Sequence, residues 1–395
     1  MRPEAPTIYR ATLLERVGLQ RWLSPPSRMI LRHLERRPVK TALSVVGIAL
    51  ACAILTTGRF QEDTVGFMMN VQYGLSQRQD LTVTFVDPTS RRALYDLLSL
   101  PGVEYGEVFR EVPVRLRFAH RSYRTGILGI EPAGRIRRLL DTELKPVHVP
   151  EQGIVLADYL GKILGVRPGD MLTIEILEGR RAKHKVKVAK LVSQYIGLSS
   201  YMDLNALNRI MREGHAISGA FLSVDEQHLG DIYRRLKEMP RVAGTVVRKQ
   251  EIINFNKTMQ ETMLFFVTVA TVFAVIIAFG VIYNSARITL TERSRELASL
   301  RVLGFTRGEI SYILLGELAV MTLLAIPLGL LIGHGLCGYI ASSIETDLYR
   351  VPLIIEPDTY AFAALVTLIA AAVSALVVRR KLDQLDLIAV LKTKE

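Results

Sequence analysis

Four long apolar runs interrupt this chain, at residues 41–58, 262–286, 310–340 and 359–378, and the polar stretches between them differ sharply in length. A hydrocarbon layer of about 30 Å takes roughly 20 apolar residues at helical rise, so each run predicts one transmembrane helix. The third is too long for one straight span, and Pro327 in its middle predicts a kink toward its outer half. The first is preceded by 40 residues that carry nine Lys or Arg, far longer than the basic leader of a signal peptide, which predicts a retained anchor.

Residues 59–261, between the first two runs, read as α/β with a weak internal repeat. One copy is a strand at 81–86, an amphipathic helix at 90–98, Pro101-Gly102-Val103 and a strand at 107–114. The other is a strand at 220–224, a helix at 227–237, Pro240-Arg241-Val242 and a strand at 244–248. In each, a proline stops the helix before the next strand. Between the copies, 123–130, 153–156, 171–177 and 183–192 are β-rich. The expected architecture is an α/β module built from both ends of the insert, with a β-rich module between them.

Composition agrees with a membrane protein that carries a folded insert: 49% of the 395 residues are hydrophobic and 22% charged. The net charge of +12 gains meaning from its position. Lys and Arg number nine in 1–40, five in the loop 287–309 and five in the tail 379–395, whereas the loop 341–358 has Arg350 alone against four carboxylates. Positive residues are retained on the cytoplasmic side, so both termini are expected inside and the insert outside. Cys52 and Cys337 both fall in apolar runs and offer no disulfide framework.

The loop 287–309 begins RITLTERSRELASLRVLGF, with Leu297, Leu300 and Leu303 at three-residue spacing and charges on the remaining positions. It predicts a short amphipathic helix at the inner membrane surface. Two readings stand: a basic helix resting on anionic headgroups, or a docking element for another protein, which the mixed Glu and Arg cluster and the following Gly304 favour. Upstream, Ile30, Leu31 and Leu34 can enter the headgroup boundary while Arg28, Arg32 and Arg36 share a face toward phosphate, an elbow that Pro38 ends.

Glu317 lies about two turns into the third run, and no Lys, Arg or His within the runs stands out as its partner. Packing or snorkelling is the plainer reading; proton transfer is the sharper one. Gly329 and Gly333 form a GxxxG, which suits a seam between two subunits or close packing within one chain. Lys183, Lys185 and Lys187 alternate with less polar positions and read as the solvated face of a strand. The seven histidines lack metal-ligand spacing, and no GxxxxGK[ST], HExxH or GxSxG occurs, so no catalytic or cofactor site is expected in this chain.

The segment ERSRELASLRVLGFTRGEI resembles the hallmark stretch of permeases of the MacB/FtsX family, the type VII ABC transporters, where residues between the second and third of four spans contact the ATPase. The order of one span, a large outer domain and three further spans matches, and LADYLGKILGVRPGDMLTI, with its Gly-Asp turn before a strand, is similar to the outer domain's motif. The first 38 residues resemble the linker before the second half of ten-span members. This resemblance implies a four-helix membrane protein with an extracytoplasmic α/β domain, placed in a bacterial inner membrane. It assigns ATPase coupling to Glu292, Arg293, Glu296, Leu300, Arg301 and Gly304. ATP and Mg would be bound by a partner ATPase dimer. A second permease subunit, a copy or a related half, would complete the complex; a periplasmic adaptor and the bilayer are further partners, and nucleic acid is not. The implied work is ATP-driven mechanotransmission to lipid-like, lipoprotein, peptide or amphiphilic cargo, with FtsX-like control of a cell-wall hydrolase as the alternative.

Overall fold

The computed structural model describes residues 25–384 except 133, 142 and 345–349, with the side chains at 25–26, 259–260, 292–302, 307 and 381–384 outside the description. In chain order, α1 (Pro25–Arg36) leads into α2 (Pro38–Met69), which ends in a π-helical segment (Asn70–Ser76). The inserted domain begins with β1 (Leu81–Ser90), α3 (Ala93–Leu98), β2 (Val103–Phe118) and β3 (Arg121–Ile130). The small hairpin β4 (Leu139–Leu140) and β5 (Pro146–Val147) follows, then β6 (Ile154–Ala157), α4 (Asp158–Leu164), β7 (Met171–Ile176) and β8 (Lys183–Val192). The domain ends with β9 (Ser200–Asp203), α5 (Leu204–Met211), β10 (Ala216–Val224), α6 (Leu229–Glu238) and β11 (Val242–Val247). Three long helices complete the chain: α7 (Arg248–Val302), α8 (Arg307–Ser343) and α9 (Pro357–Gln384).

Four helices are long and apolar enough to cross a membrane, and the chain is a multi-pass membrane protein with a β-rich domain inserted between its first and second spans. Contacts divide its described residues into a membrane unit (25–63, 263–340 and 354–384) and an inserted unit (64–262, 341–344 and 350–353).

Within the membrane unit the helices approach closely at small side chains. A Cβ on Gly329 of α8 would lie 2.6 Å from the Ala49 carbonyl oxygen and 2.7 Å from Cys52 Cβ, and one on Gly333 would lie 2.9 Å from Thr56 Cβ. On the other side of α2, Gly47 faces Val281 and Gly58 faces Ala270 of α7. The buried hydroxyls of Ser44 and Ser285 are hydrogen-bonded at 2.6 Å. Lipid tails are as apolar as leucine, so burial alone gives little drive for association there, and close packing with interhelical hydrogen bonds supplies it. The GxxxG face is therefore filled by α2 of the same chain. α8 continues unbroken through Pro327; a spanning helix tolerates the one lost backbone donor when its neighbours hold it. The first turn of α9 is capped from α2, because the Asp63 carboxylate accepts from the Glu356 N–H at 2.9 Å and from the Thr359 hydroxyl at 2.7 Å.

In the inserted unit one sheet runs β11-β1-β10-β2-β3-β9-β6-β8-β7, and β7 pairs again with β2. The first four strands with α3 and α6 form a split β-α-β pair of ferredoxin-like order, assembled from the two copies of the sequence repeat. Its core holds Leu81, Val83, Leu97, Leu222, Ile232 and Leu236. The remaining pairings close a six-stranded barrel, β2-β3-β9-β6-β8-β7, around Val114, Leu116, Leu156, Leu160, Leu172 and Ile174.

This joins what the sequence separated. The second strand of the first copy was expected at 107–114, but β2 is 16 residues long and belongs to both modules. One edge pairs with β10 from Val103 to Phe109, then with β7 from Val114 to Arg117, while β3 covers the other edge from Phe109 to Phe118. Inward Val112, Val114 and Leu116 continue the alternation without a break, so the strand has no reason to stop at a module boundary.

Candidate functional site

The coupling segment was expected as a separate helix lying on the membrane. Instead, α7 passes without interruption through the second span and on to Val302. No Gly or Pro occurs between Val281 and Leu303, and the stretch is rich in strong helix formers, so nothing ends the helix at the span boundary. Glu292, Arg293, Glu296, Leu300 and Arg301 lie on this helix, with side chains outside the described residues. Gly304 ends it at φ +97°, a left-handed conformation that costs a non-glycine residue energy, and a Cβ there would meet nothing within 4 Å. The glycine is therefore required by backbone geometry and not by crowding. Thr306 and Glu309 then form a capping box for α8: the Thr306 N–H donates to Glu309 Oε2 at 2.8 Å, and the Glu309 N–H donates back to the Thr306 hydroxyl at 3.3 Å. The result is a short, stiffly bounded turn between two long helices, with Leu303 76% exposed at its tip.

α1 packs on α8 and does not leave its apolar face to lipid. Ile30 and Leu34 are buried against Ile313 and Met321, and Gly316 makes the room, since a Cβ there would lie 2.5 Å from Ile30 Cδ1. Arg28 and Arg36 are exposed and Arg32 half-buried. The same contact supplies the partner that Glu317 lacked in sequence: His33 Nε2 lies 3.7 Å from Glu317 Oε1, with Glu317 only 5% exposed. A helical signal for this existed, because Ile30, His33 and Leu34 share one face.

In the inserted unit three arginines mark places where segments distant in sequence meet. Arg110, 2% exposed, sits where β2 leaves β10 for β7. It donates to Glu213 at 3.0 and 3.1 Å, to the Ser218 hydroxyl at 3.0 Å, and to Glu178 at the β7–β8 turn. Burial disfavours its charge, but the hydrogen bond it donates to Glu213 and the charge of Glu178 outweigh that and hold the guanidinium above its ordinary value. Arg248, the first residue of α7, donates to Asp80 at 3.1 Å and to the Tyr73 carbonyl at 2.9 Å. Beside it, Val224, Leu229, Val247, Ile252 and Ile253 line a cleft of about 340 Å³ whose polar rim includes Glu226 and Lys249.

Arg350 is the third. It pairs with Asp158 in the first turn of α4, stacks its guanidinium 4.9 Å from the Tyr159 ring centroid, and donates its N–H to the Tyr195 carbonyl at 3.0 Å. Burial pushes the Tyr195 phenol up, with Asp158 adding and Arg350 opposing. Thr64 donates to the Pro352 carbonyl at 3.3 Å, so residues 350–353, between α8 and α9, are a built part of the inserted unit. Nothing in a lone Arg among acids announced this, although its isolation was the available signal. Among the described residues no three His, Cys, Asp or Glu converge as a metal site would require.

Residues 268–384 match the family model described as FtsX-like permease C-terminal, a match that takes in the turn between α7 and α8 and the last three spans. Comparison with curated proteins gave no match. Among solved structures the chain is similar to the extracellular domain of the noncanonic ABC-type transporter YknZ from Gram-positive bacteria, at 11% identity and TM-score 0.30 over 39% of this chain and 88% of that one. It is also similar to the periplasmic region of MacB from Actinobacillus actinomycetemcomitans, at 12% identity and TM-score 0.33 over 48% of this chain and 98% of that one.

Proposed function

We propose that this chain, whose C-terminal region is that of an FtsX-like permease, is the transmembrane subunit of an ABC transporter and hands the motion of a separate ATPase dimer to its inserted domain. The observation that carries this reading is the continuity of α7. One helix of 55 residues starts at Arg248, which is bonded to Asp80 just before β1, and ends at the Gly304 turn. At 1.5 Å per residue it is about 80 Å long, far more than a bilayer requires. A separate surface helix would have needed a hinge, and each hinge absorbs displacement; an unbroken helix moves as one body. The ATPase is expected to grip the segment from Glu292 to Gly304, the end of α7 and its turn, while ATP and Mg stay on that partner.

In this reading the membrane is the bacterial inner membrane, both termini are cytoplasmic, the inserted domain is outside, and a second permease subunit completes the complex. Export of amphiphilic cargo and control of a cell-wall hydrolase use the same mechanical part and differ in what the inserted domain touches. Inserting Gly-Gly-Ser-Gly after Lys257 tests the reading in the complex with its ATPase. Assembly and basal ATP hydrolysis should persist while the extracytoplasmic work is lost; full activity at normal expression would show that force does not travel through α7.

A further inference from the structure

The barrel has one wall whose charge the permease reading does not use. On four neighbouring strands, Arg124 of β3 stands opposite Arg115 of β2, Arg115 opposite Glu175 of β7, and Glu175 opposite Lys183 of β8. The next row sets Ser122, Arg117, Thr173 and Lys185 side by side, and a third pairs Met171 with Lys187. Directly opposed residues share a face, and the intervening Val114, Leu116, Leu172 and Ile174 are buried in the barrel, so these rows lie on its outer surface.

Six cations there meet one carboxylate, and that carboxylate is already shared: Glu175 lies 3.0 Å from Lys183, 3.5 Å from Arg117 and 3.7 Å from Arg115. Arg124, Lys185 and Lys187 are exposed and make no ion pair among the described residues. Like charges opposed across a ladder destabilise it, which makes a compact unpaired group of this kind a cost to the isolated domain.

We propose that this wall docks on an anionic phospholipid surface. Rows about 7 Å apart on strands about 4.8 Å apart make a grid of roughly 14 by 14 Å, a two-dimensional array that meets many headgroups at once. Lysine predominates on β8, and its compact ammonium suits phosphate without demanding a fixed bidentate geometry. A protein partner would call for aromatic anchors and few lysines, and the rows hold no aromatic residue. Their one large apolar side chain is Met171, 54% exposed beside Lys187, a flexible tip able to enter the headgroup boundary. This docking does not depend on the ATPase reading and is testable without it.

The full chain in nanodiscs of phosphatidylcholine is labelled at Ser122→Cys, in the second row, with an environment-sensitive fluorophore; Cys52 and Cys337 are buried, so the probe reports this wall and not the basic segments elsewhere. Vesicles of 30% phosphatidylglycerol should shift its emission, vesicles of phosphatidylcholine alone should not, and the affinity should fall steeply with salt. Each lysine near such a surface contributes roughly fivefold, so Lys183→Gln, Lys185→Gln and Lys187→Gln together should weaken binding about 100-fold. Removing Arg234 and Lys237 of α6 should change it less than threefold, and Met171→Ser should weaken it a few fold with the charge intact. No emission shift at any vesicle concentration, or a triple variant equal to the parent with its fold retained, would overturn the proposal. A shift produced by polyglutamate but not by vesicles would overturn it too, in favour of an acidic protein partner.

Discussion

In the membrane unit the helices meet at glycines and hydroxyls; in the inserted unit the core is filled by branched aliphatic side chains, and a few ion pairs join its distant segments. Gly329 against Ala49, Gly333 against Thr56 and Ser44 against Ser285 hold helices together where burial of apolar area gives little advantage. Leu81, Leu97, Leu116 and Leu160 do the equivalent work where the alternative is water. The difference teaches which substitutions each unit can bear. Adding one methyl group at Gly329 or Gly333 should damage the membrane unit where the same change in the barrel's outer wall is harmless, and removing one buried charge should damage the inserted unit most.

The largest effect is expected at Arg110. Replacing it with alanine leaves Glu213 and Glu178 without their shared partner and opens space where the strand changes neighbours. Losing one partner of a buried ion pair costs about 3 to 5 kcal/mol; the half-exposed state of both glutamates places the expected loss near the lower figure. Chemical denaturation of the purified chain, followed by a probe in the barrel, should show the inserted unit melting early while helical content persists. An unchanged midpoint would mean that the two modules of the insert do not depend on this node.

The next largest belongs to the membrane unit. Gly329→Leu must displace α2, since even a Cβ falls 2.6 Å from the Ala49 carbonyl, and overpacking of this sort costs about 1 to 3 kcal/mol. Resistance to unfolding in mixed detergent micelles should fall by that amount. Were Gly329 a seam between subunits instead, the variant would lose dimerisation while the monomer kept its stability, which sedimentation separates from unfolding.

How much of this was visible beforehand follows from what each feature depends on. The four spans were legible because length and apolarity alone define them, and the repeated β-α-β because proline and alternation are local signals. The continuation of α7 beyond residue 286 into the coupling segment was misjudged because a charged run after an apolar one reads as a boundary, while the helix requires only the absence of Gly and Pro. Closure of the barrel depends on which strand β7 meets, and no local pattern in Met171–Ile176 encodes that. His33 and Glu317 are far apart in sequence, and looking for the partner inside the spans excluded the helix that supplies it.

A smaller effect is expected at Arg350. Its pair with Asp158 is partly buried and backed by the Tyr159 ring, so Arg350→Ala should cost about 1 to 2 kcal/mol locally and leave the global midpoint nearly unchanged. Hydrogen exchange should quicken at Tyr195–Ser200 and at Asp158–Leu164, and Asp158→Arg with Arg350→Asp should restore part of the protection. Equal exchange in all variants would show that the short loop between α8 and α9 does not brace the barrel.

The smallest effect sharpens the contrast from the other side. Gly280 sits in the same membrane unit as Gly329, within α7, but a Cβ on it would meet nothing within 4 Å, and neither φ nor packing calls for glycine. Gly280→Ala should therefore be neutral or stabilise the helix by at most about 1 kcal/mol, through the lower backbone entropy of alanine in the unfolded chain. That small change bears on mechanism. A glycine without a packing role is the natural place for α7 to bend, and a stiffer α7 that leaves ATP-driven work intact is what a rigid lever predicts. If the alanine variant assembles with the proposed ATPase, leaves ATP hydrolysis at the parent rate and still fails to do work outside, then α7 flexes at Gly280 during the proposed cycle and does not act as a rigid lever.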